Sequence, residues 1–109
     1  MTNRGLAKNE ELFRKVNERI DHVSASVDLD DRQMEFLCEC DRTDCYEKVN
    51  VTRAEYESVR AVPTHFIVVP GHEDPRVERV AYSTGRFFVV EKQDEAAEDA
   101  IETDPRSES

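Results

Sequence analysis

The chain has 109 residues, 38% hydrophobic and 37% charged, with no Trp and a formal net charge of −10. That length holds one domain, and the balance of apolar to charged residues leaves a lean core that a metal or disulfide staple would help. So acidic a surface disfavours nucleic-acid backbones and anionic membranes as direct ligands and leaves a basic protein surface as the partner it would attract.

From the N-terminus, the spacing of Leu6, Phe13, Val16, Ile20 and Val23, widened by Leu12, predicts an amphipathic helix over roughly 6–23. The polar link that follows, Ser24 to Arg32, holds Asp28, Asp30 and Asp31 but lacks the glycine and distal glutamate of an EF-hand, so it reads as a solvated loop. Met34, Phe36, Cys38 and Cys40 then alternate with charged or other residues, and Cys45, Glu47, Val49 and Val51 alternate on the way back. This period of two predicts a β-hairpin turning at residues 41–44. Thr52-Arg53-Ala54-Glu55 is a capping box that opens a short helix, about 53–61, with Tyr56, Val59 and Ala54 inward and Pro63 at its end. His65 to Val69 is an apolar run between Pro63 and Pro70 and reads as a buried strand. After the turn Pro70 to Pro75, strands are expected at Val77–Tyr82 and Arg86–Glu91, joined through Ser83-Thr84-Gly85. Residues 91–109 hold eight acidic and two basic side chains, −6 of the total charge. The expected architecture is therefore an α+β domain over 1–92 and an acidic, largely disordered tail over 93–109, in which Glu95–Ile101 could form a helical turn or two.

No apolar run near the start suits a signal peptide, and no segment nears the ~20 apolar residues of a membrane span, so a cytoplasmic location is expected. In that reducing compartment an odd number of cysteines, three within eight positions, points to metal ahead of disulfide. Cys38 and Cys40 would share one face of a strand, with Cys45 facing them across the turn. Three thiolates suit zinc, copper(I) or an iron–sulfur cluster and not magnesium or calcium. His72, in a Pro-Gly turn, is the favoured fourth ligand. His65, at the head of an apolar strand, is the alternative, followed by water or an acid; His22 fits the C-terminal dipole of the first helix. The competing readings are three buried apolar cysteines and a thiol switch. Glu39 and Glu73 could act as bases beside a catalytic ion, but three thiolates make bound water less acidic and a histidine closes the site. Structural zinc on Cys38, Cys40, Cys45 and His72 is the expectation.

The string FLCEC-x4-C, followed by VT-x2-EY-x2-VR-x2-P-x2-F-x-V-x-PGHE-x-P-x-VERV and VVEK, resembles a group of short uncharacterised proteins from actinobacteria. That group has a leading helix like NEELFRKVNERI and an acidic end like ETDPR, so the resemblance covers most of residues 9–106. It implies that the cysteine triplet and the PGHE turn act together and implies no catalytic role.

GRFFVV places aromatic residues beside a basic one, as single-strand binders do, but reads first as a core strand; Arg76, Arg79 and Arg86 could form a local basic patch. Neither phosphate-binding glycine motif is present. The function expected is a zinc-stabilised, non-enzymatic regulatory module acting through protein–protein contacts of the hairpin or first helix. The alternatives are a thiol-based redox or metal sensor, a nucleic-acid-associated regulator and a small zinc hydrolase, and the sequence leaves the oligomeric state open.

Overall fold

A computed structural model describes residues 2–26, 32–42 and 44–108. The side chain of Leu6, the loop acids Asp28, Asp30 and Asp31, and Thr43 lie outside the described residues. Helix α1 (Thr2–Ser26) is followed by β1 (Gln33–Leu37) and β2 (Lys48–Thr52), an antiparallel pair in which Phe36 faces Val49 and Met34 faces Val51. Helix α2 (Arg53–Arg60) opens with the predicted box. Glu55 N donates to the Thr52 hydroxyl at 3.1 Å, and Thr52 N donates to the Glu55 carboxylate at 2.9 Å. Strands β3 (His65–Val68), β4 (Glu78–Ser83) and β5 (Phe88–Lys92) form an antiparallel sheet in the order β3-β5-β4. Helix α3 (Asp94–Glu102) and a 3-10 turn (Pro105–Glu108) complete the α+β domain. Among the described residues no helix is long and apolar enough to cross a membrane.

The three-stranded sheet is covered on both faces along β3 and β5, which is why Phe66, Ile67 and Val68 are all buried although neighbours in a strand point opposite ways, while the edge strand β4 is exposed after Glu78. Ile67 and Val89 pack with Phe36, Val51, Tyr56 and Val59 from the hairpin and α2. Phe66, Val68 and Val90 pack with the three cysteines and with Ala100 of α3.

Four expectations change. The β1–β2 ladder ends at Leu37 and Lys48, so the cysteines lie in the connection 38–47 and not on the strands. The chain leaves the ladder there because Glu39 turns inward and its N–H bonds Ile67 O of β3 at 2.7 Å. The second change concerns α1, which buries a mostly polar stripe of Glu10, Phe13, Arg14, Asn17, Asp21 and Ser24, while Leu12, Val16 and Val23 are exposed. Fixed polar partners explain the rotation. Arg14 donates to Pro63 O at 2.8 Å and Ala100 O at 2.7 Å, and Asn17 donates to Leu37 O at 2.9 Å and accepts from Leu37 N at 2.8 Å. In α2, Tyr56 and Val59 are buried as expected, but Ala54 is exposed and Arg60 takes the inner position. Finally, the stretch expected as a largely disordered tail differs over 94–108. Helix α3 lays Ala100 on the sheet, Arg14 reaches its last-turn carbonyl, and Asp104 receives Arg60. Arg106 joins the same network, donating to Glu18 at 2.7 Å and Glu57 at 2.8 Å.

Candidate metal centre

Two backbone turns bring the ligand side chains together. Cys38 N donates to Glu47 O at 2.9 Å just past the ladder, and Cys45 N reaches Arg42 O at 3.3 Å, which folds the cysteine loop back on itself. On the other side Pro70-Gly71 forms a turn closed by His72 N donating to Val69 O at 2.9 Å. Gly71 holds φ +95°, the left-handed geometry that the third position of a type II turn requires, and Pro70 presets the position before it. The turn projects His72 over the cysteine loop.

The Nδ1 atom of His72 lies 3.7 Å from Cys38 Sγ and 3.5 Å from Cys45 Sγ. The ligand atoms of Cys38, Cys40, Cys45 and His72 all lie within 4.8 Å of one another, so these four residues could hold a metal ion. The two nitrogen–sulfur separations are those of a tetrahedral centre, in which bonds of about 2.3 Å to sulfur and about 2.1 Å to nitrogen put those atoms about 3.6 Å apart. The other ring nitrogen of His72 is 3.2 Å from the Glu47 carboxylate. A carboxylate there keeps the ring proton on Nε2 and turns the Nδ1 lone pair to the sulfurs, the usual support for a metal-binding histidine.

The sulfurs are also prepared electrostatically. Val69 N donates to Cys38 Sγ at 3.1 Å, and the backbone N–H groups of Arg42 and Glu47 lower the thiols of Cys40 and Cys45 in the same way. The hydrogen bond from Cys38 pulls Cys40 down to about 5, while that bond and burial push Cys38 up. Burial is the main cause raising Cys45. A cation between the sulfurs offsets the cost of burying three such groups together.

Glu39 is not a base beside the site. Its carboxylate points away into the core, where it accepts from Asn17 at 2.7 Å, Tyr56 at 3.2 Å and Ile67 N at 3.1 Å, and burial pushes it above the ordinary range. It anchors the loop between two ligand cysteines to α1, α2 and β3. Glu73 is occupied with Gly71 N at 2.9 Å. Of the other histidines, His65 sits in β3 with its ring 6.2 Å from that of Tyr82, and His22 is exposed on α1; neither belongs to the sulfur group. The expected basic patch is neutralised, since Arg76, Arg79 and Arg86 each meet a carboxylate, Asp74, Glu91 and Glu55 respectively.

Sequence reasoning missed Glu47, Asn17 and the inward role of Glu39. Glu47 follows Cys45 by two residues on an alternating segment, which is the one local signal that it could share the ligand side. No family model, curated protein or solved structure matches the chain.

Proposed function

We propose that this chain is a small zinc-stabilised, non-enzymatic binding module of the cytosol, acting on a protein partner with a basic surface. The observation that carries the reading is the gathering of Cys38, Cys40, Cys45 and His72 within 4.8 Å. Three thiolates and an imidazole are donors that zinc prefers, and four protein donors complete its tetrahedron without a place for substrate or water. That closure favours a structural ion over a hydrolytic one.

The binding role draws on what α1 leaves outside. Leu12 and Val23 are 55% and 49% exposed, and Tyr46 of the cysteine loop, 72% exposed, stands with its ring 6.2 Å from that of buried Phe13. Apolar groups exposed on α1 and on the cysteine loop suit contact with a partner, and the net charge of −10 would speed encounter with a basic one.

Metal content tests the reading. Purified protein should carry about one zinc per chain, and cobalt(II) in its place should give the absorption of a tetrahedral, thiolate-rich site. Metal-free protein of unchanged fold with three freely titrating thiols would remove the proposal, and a cobalt spectrum with a water ligand would favour the hydrolase. A sensor is the second reading, favoured by the depressed thiol of Cys40 among neighbouring sulfurs. Loss of the ion and formation of a disulfide at low peroxide would support it, although burial of all three sulfurs slows such attack.

A further inference from the structure

The four donors of the proposed centre are not equally shielded. Cys38 and Cys40 are fully buried and Cys45 nearly so, and on their inner side they pack with Phe66, Val68, Val90 and Ala100. The loop that carries them is fastened to the core through Glu39, whose N–H and carboxylate both meet Ile67 of β3. His72 closes the outer side. Its side chain is 12% exposed, and the Glu47 carboxylate 3.2 Å behind it is 60% exposed. A ligand coming from within would have to part a packed apolar cluster, whereas from outside a single imidazole stands in its way.

The turn that carries His72 is anchored at its two ends. Val69 N donates to Cys38 Sγ at 3.1 Å, and Asp74 is held by Asp41, Arg76 and Glu78. Between those anchors, Gly71 N bonds Glu73 of the same turn at 2.9 Å, and Arg42 Nη2 reaches Gly71 O at 3.3 Å in an exposed contact. A Cβ on Gly71 would meet nothing within 4 Å, so open space lies beside the turn. The ring can therefore swing out while the sulfurs and the core stay in place.

We infer that His72 is the exchangeable ligand of the centre, and that a small thiol without negative charge takes its place on the ion while Cys38, Cys40 and Cys45 keep the metal. This rests on the proposed metal centre and deepens it by naming the class of ligand that reaches the ion. In the exchange the metal–nitrogen bond breaks and a metal–sulfur bond forms with an electron pair of the incoming thiolate. The thiol's proton goes to solvent and the imidazole leaves as the neutral base, so nothing is oxidised or reduced. Sulfur is the donor that an ion already held by three thiolates prefers. Glu47 beside the vacated position and Glu73 in the turn, on a chain of net charge −10, turn anionic thiols away.

The test loads the full chain with cobalt(II), whose absorption reports the number of thiolate ligands, and titrates it with cysteamine, 2-mercaptoethanol and mercaptoacetate. Expected is a saturable rise of the sulfur-to-cobalt band with the first two and a weaker one with mercaptoacetate, while the cobalt stays with the chain on ultrafiltration. His72→Ala should take up the thiols at least about tenfold more tightly, since no tethered ring competes at high effective concentration. Should that variant fail to fold, the wild-type titration still decides. Cys45→Ser, which removes a buried sulfur, should give up its cobalt to the thiols and show no such saturation. A cobalt-loaded wild-type chain whose spectrum ignores thiols, an equal response to mercaptoacetate, or the same saturation in the Cys45 variant would overturn the inference and leave the centre standing. A chain that takes up no cobalt would remove both.

Discussion

At His72 two neighbours decide what the imidazole does. Its Nδ1 faces Cys38 and Cys45, and Glu47 stands 3.2 Å behind the other nitrogen. Loss of such a supporting carboxylate typically costs 10–100-fold in metal affinity. Glu47→Ala is therefore expected to weaken the metal by roughly 10–100-fold in competition with a calibrated chelator, with stoichiometry kept, and His72→Ala to weaken it further. An unchanged affinity in the Glu47 variant would detach that residue from the centre. That Cys38, Cys40, Cys45 and His72 lie together could be expected from residue type and spacing, since three cysteines in a short, charged segment suit a soft cation. Glu47 could not, because a glutamate on a hairpin edge is ordinarily solvated and only the position of the PGHE turn, far along the chain, gives it a partner. Glu39 misleads for the same reason. Next to two cysteines it looks like a base, yet its partners are Asn17, Tyr56 and Ile67 N.

Among the elements, those with local chemistry were readable and those with distant partners were not. The capping box at Thr52 and the apolar run of β3 need only their neighbours, and both form where the sequence puts them. Helix α1 is legible as a helix but turns a different face inward, because burial of Arg14 and Asn17 depends on carbonyls of residues 37, 63 and 100. The end of the chain misleads in the same way. Its composition is that of a solvated tail, but Asp104 and Arg106 meet Arg60, Glu18 and Glu57, and Ala100 covers Phe66 and Val68. Ending the chain at Lys92 should therefore damage the fold and not merely reduce its charge. It strips Arg60 of one of its two carboxylate partners, Glu18 remaining, and uncovers Phe66 and Val68 beneath Ala100, losses that together cost about 3 kcal/mol or more. At about 4–8 °C per kcal/mol for a domain near this size, the melting temperature should fall by more than about 10 °C. A shortened chain that melts with the full one would mean that α3 contributes no stability and that the tail is dispensable after all.

For the whole molecule, the two apolar clusters divide the work unequally. The cluster built on Phe36, Tyr56, Val59 and Ile67 is closed by carbon against carbon. Its neighbour across the sheet has Phe66, Val68, Val90 and Ala100, and completes itself with three sulfurs. Thiols without a cation there are buried polar groups in mutual contact, and the bond to Cys40 together with burial raises Cys38. Since metal binding free energy is folding free energy, withdrawing an ion bound at the proposed centre should act first on that side of the sheet. Hydrogen exchange before and after chelation measures this directly. Amides of the loop 38–47, of the turn 69–73 and of α3 should lose protection, while those of β1, β2 and α2 keep most of theirs. Uniform loss would mean that the domain unfolds as one unit without the ion, which makes the metal a condition for folding and not a local brace. Uniform retention would leave the sulfurs as ordinary core groups, and the stability of this lean, acidic chain would then have to come from its buried ion pairs and the all-carbon cluster alone.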